Sequence, residues 1–244
     1  MNDDGYFDEA VAKTYDQQHG GHDPISIERT VHCLKGLAGP GEVLEFAIGT
    51  GRIALPLSAS GCKVKGIELS NAMVAELRKK EVGDPLEVEI GDMASARVPG
   101  EFSLVYLVFN TIDNLVTQEA QTACFANAAR HLMPGGRFLV ETQVPPIQQI
   151  PFGQTKLAFA CDENHVGVDE FDFTSQNYTS NHVWMNGDKH EFLSIPFRYA
   201  WPSEMDLMAK LAGLELEHRW ADWECAPFSH LSRSHISVWR KPDI

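Results

Sequence analysis

The chain has 244 residues, 43% of them hydrophobic, which is enough for one core or one core with a subdomain at about 150 residues per domain. Acidic residues outnumber basic ones 34 to 20, a formal net charge of -14, so DNA, RNA and anionic membranes are excluded as natural partners: phosphate surfaces are met by clustered lysine and arginine. No run approaches the ~18 to 20 apolar residues of a membrane helix, and the opening MNDDGYFDEA has no basic patch followed by an apolar stretch, which predicts a cytoplasmic protein without a signal peptide.

In chain order, a short amphipathic helix is predicted over Phe7 to Tyr15, then a polar loop, QQHGGHDP, and a second helix from Ile25 to Leu37 that ends at Gly36 to Gly41. Residues 1–40 are taken as a helical lid. Strands follow at Glu42 to Phe46, Lys63 to Ile67, Leu86 to Ile90, Ser103 to Phe109 and Gly136 to Thr142. Helices near Arg52 to Ser58, Asn71 to Lys80 and Gln118 to Leu132 alternate with them. Near-continuous apolar strands such as SLVYLVF, alternating with helices, predict an α/β core over 41–150: a doubly wound, mostly parallel sheet with helices on both faces. Pro56 implies a late start or a kink in the first of these helices.

After Thr142, VPPIQQIP interrupts regular structure and the pattern becomes antiparallel β, with runs at Thr155 to Cys161, His165 to Phe173, Tyr178 to Met185 and Lys189 to Tyr199. Asn186-Gly187 predicts a hairpin turn, and 151–200 reads as an inserted β subdomain that serves as a cap or as an oligomer interface. Residues 201–244 return to the core with a helix at Glu204 to Ala212, capped by Ser203 and stopped by Gly213, and then an antiparallel strand pair, LELEHRW with HISVWRK. The five cysteines are far apart and lack paired spacing, which fits reduced core residues better than a disulfide framework or zinc site.

The chemistry centres on VLEFAIGTGRIALPL, Val43 to Leu57: a strand, a glycine turn and a helix start. Gly49, Gly51 and Ala54 satisfy a loose dinucleotide pattern, so a nicotinamide cofactor and an oxidoreductase remain open. Three carboxylates at strand ends pull the other way: Glu45, Glu68 and Asp92 would repel a pyrophosphate but suit ribose hydroxyls, a cationic amine and an adenine amine.

In this order LEFAIGTG, GIELS, GDM and HLMPGGRF resemble the motifs of the class I S-adenosylmethionine-dependent methyltransferases, and the likeness covers most of the chain. The resemblance implies a Rossmann-like sheet of seven strands with an antiparallel last strand. It implies that Glu45 to Gly51, including Ala47, Ile48 and Gly49, with Arg52 beyond, wrap the methionine part of the cofactor. The family usually has glycine where Ala47 stands. Glu68, beside Leu69, would take the ribose hydroxyls; Asp92 would accept from the adenine amine while Met93 packs near the ring; Leu107, Val108 and Phe109 would lie beside the sulfonium.

Methyl transfer from a sulfonium is a direct displacement, so holding the nucleophile in line and excluding water supply most of the catalysis, and no metal is required. Asp113-Asn114 is too little for a magnesium site. Tyr6, Tyr15 and Phe109 are the expected residues around the reacting methyl, and Asn110, His182, Arg198, Tyr199 and Trp201 the expected acceptor pocket; His182 and His190 read as packing or surface residues rather than bases. The motifs for methylating nucleic-acid bases are absent, since FNTI stands at the end of the fourth strand. The chain looks like the small-molecule N-methyltransferases of amino-sugar and antibiotic biosynthesis. O-methylation, nicotinamide-dependent oxidation and a non-catalytic S-adenosylmethionine-binding role are the alternatives, and a homodimer is the expected assembly.

Overall fold

The computed structural model describes residues 6–18 and 23–243. The expectations for residues 1–5, for the middle of the polar loop at 19–22 and for Ile244 lie outside the described residues. Two helices, α1 (Glu9–Gln18) and α2 (Pro24–Ala38), precede the core. The core runs β1 (Val43–Phe46), α3 (Ala54–Ala59), β2 (Val64–Glu68), α4 (Asn71–Lys80), β3 (Glu87–Ile90), β4 (Phe102–Leu107), α5 (Gln118–His131) and β5 (Leu132–Gln143). A four-stranded sheet follows: β6 (Lys156–Cys161), β7 (His165–Asp172), β8 (Asn177–Asn186) and β9 (Lys189–Arg198). The chain then returns through α6 (Pro202–Leu211), β10 (Glu215–Trp220) and β11 (Ser234–Arg240).

The large sheet has seven strands in the order β10-β11-β5-β4-β1-β2-β3. Its pairs are parallel except those of β11, which is antiparallel to both β5 and β10. All four residues of β1 are buried, as a central strand covered on both faces requires. On one face Phe125 and Ala128 of α5 and Met205 and Met208 of α6 pack on Phe46, Val105, Leu107 and Phe138. On the other, Leu34, Leu57 and Leu77 from α2, α3 and α4 pack on Val43, Leu104 and Tyr106. Strand order reverses at β1, between β4 and β2, so a crevice opens beyond the carboxyl ends of these strands.

Two local departures from the sequence expectation, and one feature it anticipated, have simple causes. Helix α3 has the late start that Pro56 implies, at Ala54, which puts Pro56 in the first turn, where no amide hydrogen has a partner within the helix. Ser203 is not a cap: Trp201 precedes α6 in extended conformation and Pro202 takes the first helical position. The hairpin loop is Gly187-Asp188, one residue later than predicted, because Asn186 still pairs with Lys189 and the left-handed φ of 60° falls on Gly187.

Candidate active site

Beyond β1 the chain turns through three residues of positive φ, Ala47 at 51°, Gly49 at 56° and Gly51 at 78°. The turn is pinned by Glu68 at the end of β2, whose Oε2 accepts the Gly49 N–H at 2.8 Å while Oε1 accepts the Ser70 N–H at 2.9 Å. Ala47 adopts the left-handed conformation for which the family's glycine is suited. Gly51 serves packing rather than ligand contact: a Cβ there would sit 2.2 Å from Leu77 Cδ1, and the residue does not line the cavity.

Glu45 lies beneath the turn, 3% exposed, and accepts from the Tyr106 hydroxyl at 2.6 Å. Burial pushes its carboxyl up to about 8, against the Tyr106 hydrogen bond and the Arg52 guanidinium, which hold it down. With Ile48, Arg52 and Val108 it lines a small recess between the glycine turn and Phe109. The Arg52 guanidinium stacks 4.2 Å over the Phe109 ring.

The main cavity, about 560 Å³, is of a size typical for small-molecule sites. Ala47, Gly49, Glu68, Leu69, Asp92 and Met93 line one end. Asp92 Oδ1 accepts the Ala94 N–H at 2.7 Å, and Leu69 and Met93 provide apolar surface for a flat ring. Over this end lies α1, tied down by Thr50 Oγ1 donating to Asp16 at 2.6 Å, by the Lys80–Asp16 ion pair at 2.6 Å and by Ser70 Oγ donating to the Phe7 carbonyl at 2.6 Å. Tyr15 lines the cavity, edge-on to Phe7 at 6.0 Å, and burial raises its phenol so that it stays neutral.

At the mid-wall the chain leaves β4 through two consecutive left-handed residues, Phe109 at φ 63° and Asn110 at φ 56°. This costly conformation is held from β5: Glu141 accepts the Phe109 N–H at 2.5 Å, and Asn110 Oδ1 accepts the Gln143 N–H at 2.7 Å. A 3-10 turn, Thr111–Asn114, follows, with Asp113 1% exposed. Asp113 accepts from the Tyr178 hydroxyl at 3.2 Å and Gln143 Nε2 at 3.4 Å, and burial pushes its carboxyl up to about 7 despite these donors. Asp113 therefore positions Tyr178 at the cavity wall. Among the described residues no group of three or more histidine, cysteine, aspartate or glutamate side chains is placed to hold a metal ion.

The far end is the inner face of the four-stranded sheet, where Phe159, Asp169, Tyr178, Ser180, His182 and Phe197 line the cavity. Of these only His182 was expected from the sequence. For Tyr178 and Ser180 the signal is the period-2 alternation of β8, which puts Tyr178, Ser180, His182 and Trp184 on one face.

Besides Gly51, five expected residues line neither the cavity nor the recess. Leu107 is fully buried in the core against α5 and α6, because β4 alternates between the two covered faces. Tyr6 is 51% exposed, and its neighbour Phe7 lines the site instead. Arg198 is structural: it pairs with Glu204 at 2.7 Å and bonds Gln121 in a buried network. Tyr199 packs into an aromatic cluster with Phe171 and Tyr178, and Trp201 caps α6 outside the lining.

An acidic crevice at the topological switch point of a doubly wound sheet, continuous with a second chamber under the β insertion, is the arrangement of a small-molecule enzyme of the α/β class. Comparison with known proteins gives the family. Residues 43–136 match the profile described as "Methyltransferase domain". The solved structure of the CcbJ methyltransferase from Streptomyces caelestis is 32% identical and covers 98% of this chain and 99% of that one, with a TM-score of 0.87. The chain belongs to the S-adenosylmethionine-dependent methyltransferases. CalS10 from Micromonospora echinaspora, an amino pentose methyltransferase solved with S-adenosylmethionine bound, shares the fold at 20% identity, covering 97% of this chain and 98% of that one at a TM-score of 0.70. A curated dTDP-3-amino-3,4,6-trideoxy-alpha-D-glucopyranose N,N-dimethyltransferase from Streptomyces venezuelae is 34% identical over 99 residues, a match that spans 41% of each chain. The cofactor of the family is S-adenosylmethionine, which sets the nicotinamide alternative aside.

Proposed function

We propose that this protein transfers a methyl group from S-adenosylmethionine to an amine nitrogen of a small molecule. The observation that carries the reading is the single cavity that joins the crevice of Glu68 and Asp92 to a polar and aromatic chamber under the β insertion. The bound cofactor supplies an electrophilic methyl carbon. In this reading Glu68 and Asp92 orient it, the recess of Glu45, Ile48 and Arg52 takes its amino-acid end, and Val108, Phe109 and Tyr15 surround the reacting centre. Asn110 fixes the Phe109 backbone, while α1 and the four-stranded sheet act as a cap that excludes water, so that alignment and desolvation lower the barrier.

The Streptomyces venezuelae relative is named for a nucleotide-linked amino sugar, so a dTDP-linked 3-amino sugar is the first acceptor to try, with its 3-hydroxy counterpart as the O-methyl control. The test is incubation with S-adenosylmethionine and each sugar, followed by mass spectrometry. Methylated amine supports the reading, methylated hydroxyl overturns the nitrogen preference, and binding of S-adenosylhomocysteine without turnover on any amine favours a non-catalytic role. A homodimer acting in the cytoplasm is part of the same proposal, and light scattering tests the assembly.

A further inference from the structure

We propose that the inner face of the β insertion holds the acceptor as an ammonium ion on Asp169 and removes its proton through Ser180, His182 and His165; this rests on the amine-methylation reading above. The four residues are neighbours by strand register: Asp169 lies opposite Ser180 across the β7–β8 pair, and His165 lies opposite Trp184, two pairs beyond Gly167 and His182 and so on the same face. Asp169 faces the cavity, and its Oδ1 is buried with no hydrogen-bond partner among the described residues. A buried, unpaired carboxylate oxygen is costly, and an arriving cation with N–H donors would remove that cost. Burial raises the Asp169 carboxyl, opposed by the Ser180 hydroxyl, and a bound ammonium would lower it again.

From Ser180 a chain of polar atoms leads outward. Ser180 Oγ is 3.2 Å from His182 Nε2, and His182 Nδ1 is 3.0 Å from His165 Nε2. The imidazoles lie nearly parallel to Trp184, at 4.9 Å for His182 and 5.1 Å for His165, and Phe159 stands edge-on to His182 at 5.2 Å. Phe159 can lie this close because Gly167 beneath it has no side chain; a Cβ there would meet the ring at 2.2 Å. This aromatic shell shelters a passing positive charge.

In the proton step an N–H bond of the ammonium breaks and its electron pair stays on nitrogen as the lone pair that forms the new N–C bond. With the ammonium on Asp169 the Ser180 hydroxyl turns from Asp169 to His182, and the ammonium's proton bonds to Ser180 Oγ as the hydroxyl's own proton moves to His182 Nε2. The Nδ1 proton of His182 passes to Nε2 of His165, which is half-buried at the outer end of the chain and releases a proton to water. The other titratable groups around the pair are Tyr178 on β8, Glu191 opposite Trp184 on β9, and Asp162, whose Oδ1 accepts the His165 N–H at 2.9 Å; Tyr15, Glu68 and Asp92 line the rest of the cavity.

The test uses the full chain saturated with S-adenosylhomocysteine and titrated calorimetrically with the dTDP-linked 3-amino sugar and its 3-hydroxy counterpart. The wild type is expected to prefer the amine about tenfold or more, and Asp169→Asn to lose that preference while binding S-adenosylhomocysteine as before. In turnover, His182→Gln is expected to lower kcat with KM within about twofold, and to recover as pH rises through the pKa of the amine, when the acceptor arrives neutral. Equal preference in wild type and Asp169→Asn, no binding of either sugar, or a His182→Gln defect independent of pH overturns this proposal alone. Failure of the wild type to bind S-adenosylhomocysteine overturns the cofactor placement, and this proposal with it.

Discussion

Replacing Glu68 separates two roles of one carboxylate, pinning the glycine turn and, in the proposed complex, holding the ribose. Its oxygens hold the Gly49 and Ser70 amides, at 2.8 and 2.9 Å, and in the proposed complex they also accept from the two ribose hydroxyls. A hydrogen bond to a charged group contributes about 1.5–3 kcal/mol, so the two ribose bonds amount to about 3–6 kcal/mol before water refills the site. Glu68→Ala should therefore weaken S-adenosylhomocysteine by at least about tenfold and on the order of a hundredfold. The same change frees the Gly49 and Ser70 amides and should cost about 1–3 kcal/mol of stability. Glu68→Gln keeps the volume but points an amide N–H₂ at one of those donors, so its affinity should fall as well. Calorimetry with S-adenosylhomocysteine and with its 2′-deoxy analogue, alongside thermal melts, tests the assignment. The wild type should discriminate against the deoxy analogue and Glu68→Ala should not. Folded variants that bind S-adenosylhomocysteine within about twofold of the wild type would refute the reasoning.

Glu45, held neutral up to about 8, should ionise when the cationic groups of S-adenosylmethionine enter the adjoining recess, so binding near pH 7 should release a proton in the wild type and none in Glu45→Gln; calorimetry in two buffers of different ionisation enthalpy measures this. His235 is fully buried and lowered to about 4 by burial and by Arg219, so it stays neutral in the folded chain while the unfolded chain takes up a proton below about 6.5. Its contribution to stability is thus complete above that pH and is lost as pH falls from about 6.5 to about 4, a loss of order 3 kcal/mol, and His235→Gln should show a shallower fall in melting temperature over that range. Arg198→Met leaves Glu204 and Gln121 without their buried partner and should cost about 3–5 kcal/mol in a melt, with S-adenosylhomocysteine affinity unchanged within about twofold because Arg198 lies outside the cavity.

The core was legible because its elements carry strong local signals. Asn71 to Lys80 reads as a helix with Ser70 before it, and the structure places α4 there, with the Ser70 hydroxyl accepting the Met73 N–H. The strand ends were legible for the same reason: Glu68 and Asp92 follow short strand-like runs, VKGI and LEVEIG, and the structure puts both in one crevice. Leu107 was misplaced because a strand covered on both faces shows no alternation, so nothing in SLVYLVF says which residue emerges into the cavity. The emergence comes only after β4 ends, at the left-handed pair Phe109-Asn110, and that turn is fixed by Glu141 and Gln143 more than thirty residues later. Arg198 was misplaced because a charged residue at the end of a cap strand reads as a pocket wall until its partners, Gln121 and Glu204, are known.

The insertion shows where sequence patterning stops being informative about chemistry. Its alternation tells that β8 has two faces but not which face meets the cavity, since Ser180 and His182 would alternate equally well toward solvent. What distinguishes the inner face is energetic. A layer built of Phe159, Phe171, Tyr178, Ile195 and Phe197 would be more stable with an apolar residue at 169 than with a carboxylate whose Oδ1 is buried and unmatched. A local conflict of that kind is expected where the missing partner is a ligand. Cap stability therefore offers an independent check on the acceptor site: Asp169→Leu should raise the melting temperature of the protein without acceptor while abolishing its preference for an amine over a hydroxyl.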